Sequence, residues 1–214
     1  MYSEVFPGTW IESENLIKST TSDVVGIDSS PDSSPLLESL STTYNGIAAA
    51  DYAERWAMGY NPLYHTLAND STGFASQALK AGGWEETGTP SQIGLRGSSY
   101  RWYYGNDIPF PSSYSWEDAA YWQSFADTTG RTQRQVSIHS LDLGDIVQYD
   151  PDSDGRVNYT MVVTQSQRSG AKEYMVSYHG TRVNALNMPF RSLQMLPGNF
   201  SFHKVVSTIN LRGE

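Results

Sequence analysis

The sequence predicts an α+β domain in which helices from the first part of the body pack on an antiparallel sheet from the later part. Up to about residue 130, apolar residues recur at the three-to-four spacing of amphipathic helices. After residue 140 the runs become β-branched and aromatic, and Asp-Gly and Ser-Gly pairs separate them as hairpin turns. The 214 residues include no cysteine, so a core must be built from the 38% hydrophobic residues without disulfides or thiolate metal sites.

The elements follow in order. Residues 1–43 read as an N-terminal arm and linker. Val5–Ile17 carries Phe6, Trp10, Ile11, Leu16 and Ile17, enough apolar mass to dock on a body. Asp28–Thr43 holds six serines and two prolines and little that could form a core. The body, residues 44–214, opens with a helix over Ile47–Tyr60: Ala49, Ala53 and Ala57 form one row, and Tyr52, Trp56 and Tyr60 the next. Asn61-Pro62 ends it. A second helix starts in the capping signal Asn69-Asp70-Ser71-Thr72, buries Phe74, Ala75, Ala78 and Leu79, and stops at Gly82-Gly83. A third runs from Ser115 to Thr129, with Ser115 and Asp118 spaced as a capping box and Gly130 closing it. Strands are expected over Gly144–Tyr149, Asn158–Gln165, Glu173–His179 and Val205–Leu211.

Charge excludes some functions. Lys+Arg is 14 and Asp+Glu 23, a net −9 with no basic stripe, which disfavours nucleic acid and anionic membrane surfaces as partners. No apolar run approaches the roughly 20 residues of a membrane helix. The first twenty residues lack the apolar core of a signal peptide.

Three segments carry the chemistry: NDSTGFASQALKAGG at Asn69–Gly83, LGDIVQYDPDSDGRVNYTMVVT at Leu143–Thr164 and YHGTRVNALN at Tyr178–Asn187. With Tyr52-Ala53, Trp56, Asn61-Pro62 and Trp116, their order and content resemble the amidase-domain family related to the papain-like and NlpC/P60-like cysteine peptidases and amidases of bacterial cell walls. The resemblance covers roughly residues 44–195. It implies a papain-like fold and an ancestral hydrolysis of amide bonds in peptide or peptidoglycan-like substrates. It also implies a nucleophilic cysteine at a helix start, a histidine on the following sheet and an orienting polar residue on the next strand.

Carried across, the cysteine position holds Ser71 and the histidine position Tyr159, while the family's Asn becomes Gly73. Asp70, Thr72, Phe74, Ser76, Gln77, Gly144, Asp145, Met161, Val163 and Thr164 keep the pattern, and His179 is the candidate for the orienting position. A cysteine thiol starts at a pKa of about 8.5, within reach of a helix N-terminus. A serine hydroxyl starts far higher, and a dipole worth ~1–2 kcal/mol leaves it protonated. Ser71 therefore needs a base, and a tyrosine titrating at about 10 is a donor at neutral pH. Ser71 reads first as a helix-start residue, Tyr159 as a strand aromatic, and His179 as a histidine hydrogen-bonded to a neighbour.

Two further features have competing readings. Asp150-Pro-Asp152-Ser-Asp154-Gly155 imitates the opening of an EF-hand loop, but Met161 stands where a bidentate Glu is required and the flanks are strands. A solvated acidic turn is the first reading, and a calcium site of Asp150, Asp152 and Asp154 completed by carbonyls the second. The histidines lack zinc-site spacing, so no zinc and no cofactor are expected. The aromatic cluster around Trp102 and Trp116 reads as core or as the walls of a cleft, with Asp70, Thr72, Trp102 and Trp116 the candidate binding residues.

The expected function is a degenerate amidase-like domain that binds a peptide or cell-wall-like ligand, or another protein, without cleavage. One alternative is a serine-variant amide hydrolase using Ser71 and His179; the other is an interaction module assembled through the N-terminal arm. The resemblance places such a protein outside the cell or in its envelope.

Overall fold

The computed structural model describes residues 43–106 and 111–206. The expected arm and linker, Thr43 apart, and the end of the expected last strand lie outside the described residues.

The body is α+β, with helices and a six-stranded sheet of order β1-β6-β2-β3-β4-β5 in which every paired neighbour is antiparallel. The helices are α1 Gly46–Trp56, α2 Ser71–Ala81, α3 Tyr114–Glu117, α4 Ala119–Thr129 and α5 Phe190–Leu193. The strands are β1 Thr132–Gln135, β2 Ile146–Asp150, β3 Tyr159–Gln165, β4 Met175–Tyr178, β5 Ala185–Pro189 and β6 Asn199–Val205.

The alanine row makes α1 thin on its inner side. Ala49, Ala53 and Ala57 have no exposed surface, so the α1 backbone approaches α2 closely. Asn45 caps α1 through its side chain, which accepts from the Ala48 N–H, and its own N–H donates to the Gly82 carbonyl at 2.7 Å. The start of one helix is thereby tied to the end of the other. Helix α1 ends at Trp56, four residues before the expected Tyr60. Its last carbonyl is taken up by a side chain from the sheet, described below.

The single helix expected over Ser115–Thr129 is two helices. Asp118 takes an extended conformation, φ −117° and ψ 131°, and its carboxylate accepts from the N–H groups of Ala120 and Tyr121. Asp118 is therefore the cap, and Ser115 instead donates to the Arg101 carbonyl. Gly130 closes α4 in the left-handed region, φ 65°, as its place after the apolar stripe requires.

Alternation along the strands divides the core in two. Ile146, Val162 and Val205 face the helices, with Phe74, Leu79, Trp84, Trp102, Trp116, Trp122 and Phe125. Val147, Met161, Val163 and Val176 face the other way, against Ile138, Leu141, Phe190 and Leu193. A sheet covered on both faces explains why β3 reads as a nearly continuous apolar run.

Strands β1 and β5 were not expected from sequence. Among the described residues the last strand is β6, Asn199–Val205, which ends where the alternating run read over Val205–Leu211 begins. Gly144 makes the approach to β2 possible. Its φ is +78°, and a Cβ there would lie 2.6 Å from the Gly46 carbonyl oxygen.

Two titratable groups beside β6 act against each other. Burial pushes the Asp145 carboxyl up to about 7, although it accepts from the N–H groups of Asp142 and Val205 at 2.7 and 2.8 Å. Burial, helped by the Arg134 guanidinium, holds the His203 imidazole down to about 3. Between about pH 6.5 and 3 the unfolded chain binds a proton that folded His203 refuses, so this term removes stability as pH falls. Between about pH 7 and 4, folded Asp145 binds a proton that the unfolded chain has released, so this term adds stability as pH falls. Over the shared window the two cancel. We expect His203→Gln to unmask Asp145: on going from pH 7 to 5, the variant should gain ~2 kcal/mol of stability relative to wild type. Urea unfolding at several pH values checks this, and equal pH slopes in the two proteins would contradict it.

Candidate functional site

The site forms where α1 ends, α2 begins and the chain leaves β4. Ser71 is the first residue of α2 and Asp70 its N-cap position. Asp70 makes no side-chain capping bond. Its carboxylate is turned instead to His179, with Asp70 Oδ2 2.8 Å from Nδ1. The other ring nitrogen, Nε2, lies 3.0 Å from the Trp56 carbonyl oxygen at the end of α1. The imidazole is 1% exposed and packs between Phe74 and Tyr60, with ring centroids 4.2 and 4.7 Å away.

Hydrogen-bond chemistry fixes part of the proton inventory. A carbonyl only accepts, so Nε2 carries a proton and donates to it. Nδ1 then either donates to an ionised Asp70 or accepts from a protonated one. In neither state does a ring lone pair face Ser71.

Ser71 is 1% exposed. Its hydroxyl lies 3.4 Å from Asn69 Oδ1 and accepts at 3.4 Å from the Thr160 N–H, both long contacts. Thr72 meets the Thr160 hydroxyl at 3.0 Å, and Thr160 is bonded in turn by Gln148. Asp70, Ser71 and Thr72 thus belong to a buried polar seam joining α2 to the sheet. Gly73 leaves room for this arrangement, since a Cβ there would sit 2.8 Å from Asp70 Oδ1.

Tyr159 is not beside Ser71. Thr160 takes the face toward α2, so its neighbour Tyr159 points to the opposite face. There its ring lies 6.2 Å from that of Tyr149, and its hydroxyl 3.2 Å from Thr181 Oγ1. This side of the sheet carries a cavity of about 580 Å³ lined by Tyr149, Tyr159, Tyr178, Thr181, Arg182 and Leu196, among others. Burial, with Tyr159 close by, holds the phenols of Tyr149 and Tyr178 above their ordinary range, so both remain hydrogen-bond donors at neutral pH.

Trp102 and Trp116, read as core or as cleft walls and named as candidate binding residues, are core residues with 0% and 1% exposure. Trp102 Nε1 donates to Ser76 Oγ at 3.1 Å, and that hydroxyl donates to the Trp116 carbonyl at 3.0 Å. They support α2 and offer no surface to a ligand. Asp150, the last residue of β2, and Asp152 and Asp154 in the loop that follows each offer a carboxylate oxygen within 4.8 Å of the others.

Comparison with known proteins supplies the family. Residues 43–199 match the family model described as "Putative amidase domain". The chain belongs to that family. Two relatives from Bacillus subtilis (strain 168) are "Uncharacterized protein YhbB" and "Uncharacterized protein YjcM". The first is 31% identical over 128 residues, 58% of this chain and 38% of the relative; the second is 30% identical over 157 residues, 68% and 32%. The amidase-family chain thus spans about a third of the length of these relatives. No solved structure matches it significantly. Among the described residues, no helix is long and apolar enough to cross a membrane.

The sequence placed Ser71 and His179 in one neighbourhood but not the Asp70–His179 bond. The signal was present as an Asp where a capping side chain belongs, yet its partner is 109 positions away. Removing one partner of a buried hydrogen-bonded pair leaves the other unsatisfied at a cost of ~1–3 kcal/mol, rising to ~3–5 kcal/mol where the pair is ionised. We therefore expect His179→Ala to lower stability by an amount in this range in urea unfolding. A nearly neutral substitution would show that the pair does not hold the helices to the sheet.

Proposed function

We propose that this domain is a catalytically degenerate, papain-like member of the amidase family that binds a peptide or peptidoglycan-like amide ligand without cleaving it. The observation that carries the reading is the state of His179, whose two nitrogens are committed to Asp70 and the Trp56 carbonyl. A serine nucleophile works only with a base oriented to take its proton. Ser71 has no imidazole so oriented, and the position where the family pattern has histidine carries Tyr159, directed to the other face of the sheet.

Ground-state binding does not depend on the nucleophile. The cavity around Tyr149, Tyr159 and Tyr178 suits an amide ligand. Its aromatic faces pack against apolar or sugar groups, the Tyr178 hydroxyl donates to a carbonyl while that of Tyr149 is held by the Pro197 carbonyl, and Arg182 matches the free carboxylates of stem peptides. On the resemblance to cell-wall amidases, our reading takes the ligand to be a cell-wall fragment and the protein to act in the envelope or exterior of a bacterium. The serine-hydrolase reading requires His179 to leave both partners. The interaction-module reading rests on residues outside the described part.

One experiment separates the readings. A fluorophosphonate probe, which labels activated serines, should leave Ser71 unmodified. Muropeptide stem peptides should raise the melting temperature, by roughly 5–11 °C at a hundred times the dissociation constant, and Tyr159→Ala should abolish the shift. Labelling of Ser71 that is lost in a folded His179→Gln variant would establish the hydrolase instead. No labelling and no shift with any fragment would favour the interaction module.

A further inference from the structure

The loop between β2 and β3 has no part in the amidase-like site, yet its electrostatics are unresolved by the protein alone. Asp150, Asp152 and Asp154 bring one carboxylate oxygen each to within 4.8 Å of one another. None of the ion pairs among the described residues includes them. The loop's own cation, Arg156, turns away to Asp118 Oδ2 at 2.9 Å.

An acidic cluster on a surface proves nothing by itself, but Asp150 is not on the surface. It is 4% exposed. Its Oδ2 accepts from the Gly155 N–H at 3.0 Å, while its Oδ1 is buried with no hydrogen-bond donor. A buried carboxylate oxygen without a donor is costly, and folded proteins rarely leave one so. Asn158, later in the same loop, carries a second buried side-chain oxygen without a donor, Oδ1. The orphaned Asp150 side chain and the two exposed carboxylates thus meet within 4.8 Å with acceptors in excess, while the nearest cation in sequence, Arg156, is paired elsewhere.

We propose that this loop is a binding site for calcium. The donor set consists of oxygens only, which selects a hard cation over zinc or copper. Counted from Asp150, carboxylates stand at positions 1, 3 and 5, Gly155 at 6 with φ +90°, the Arg156 carbonyl at 7 and Asn158 at 9. Position 12 is Met161, buried in the core at 3% exposure, so no bidentate glutamate closes the site and water completes the shell. Without that ligand the affinity belongs to the millimolar class, on the order of 10⁻⁴–10⁻³ M. Magnesium, which demands a near-ideal octahedron and releases water reluctantly, fits this sparse set less well. The site stands independently of any ligand in the tyrosine-lined cavity, although Tyr149 and Pro151 connect the two.

The test is a thermal melt of the full chain, stripped with EDTA, then given calcium chloride at up to ~10 mM, magnesium chloride at equal concentration, or sodium chloride at equal ionic strength. Calcium at ten times its dissociation constant should raise the midpoint by roughly 3–6 °C, magnesium by less and sodium not at all. The double variant D152N/D154N changes only exposed side chains; it should melt no lower than wild type without calcium and lose the calcium shift. Terbium should bind wild type with tyrosine-sensitised emission that calcium displaces. Absence of a calcium shift, the same shift with magnesium or sodium, or an undiminished shift in the double variant would each overturn the proposal and leave an acidic hairpin turn.

Discussion

A buried imidazole must satisfy each ring nitrogen, and His179 does so at two helix ends. The Trp56 carbonyl, which also accepts from the Gly59 N–H in the turn after α1, takes the Nε2 proton on its second lone pair, and Asp70, at the entrance to α2, faces Nδ1. The residue itself follows directly on β4. One side chain thus ties two helices to the sheet at the point where α2 starts. Much else depends on it. It docks on the end of α1, which stops at Trp56, and Tyr60 packs against the ring. It draws Asp70 away from capping its own helix, and it keeps a base from Ser71.

Much of the scaffold could be read from local pattern, because local pattern caused it. The alanine row of α1, the stripe Phe74, Ala75, Ala78 and Leu79, the Gly82-Gly83 stop and the apolar runs of β2, β3 and β4 all report burial directly. The parts that escaped have other causes. Strand β1 is Thr-Gln-Arg-Gln and forms only because β6 supplies its partner, so no hydrophobic signal marks it. Strand β5, a short edge strand ending at a proline, owes its pairing to β4. The break at Asp118 hides inside a continuous apolar pattern, since a capping aspartate in mid-pattern looks like an exposed helical residue.

The site was legible in part for the same reason. Ser71 at a helix start and His179 after a strand follow from sequence order. The face that Tyr159 takes does not: it depends on which of two alternating sets meets α2, and Thr160 occupies the inner position. Trp102 and Trp116 have the composition of a cleft wall, but the Ser76 hydroxyl binds the ring of one and the backbone of the other into the core. The family assignment rests on residues 43–199, so the framework is that of an amidase domain. In our reading, the protein keeps the framework and has converted the catalytic neighbourhood into a structural joint, with ligand recognition moved to the tyrosine-lined face.

That conversion depends on the tautomer of one ring. Long-range proton–nitrogen correlation NMR of selectively labelled histidine reads it directly. Our account predicts that Nε2 of His179 carries a proton in the folded domain, and that its signal is unchanged in Ser71→Ala. A His179 with a bare Nε2, or a signal that shifts when the Ser71 hydroxyl is removed, would place a free lone pair beside a potential nucleophile and contradict the account.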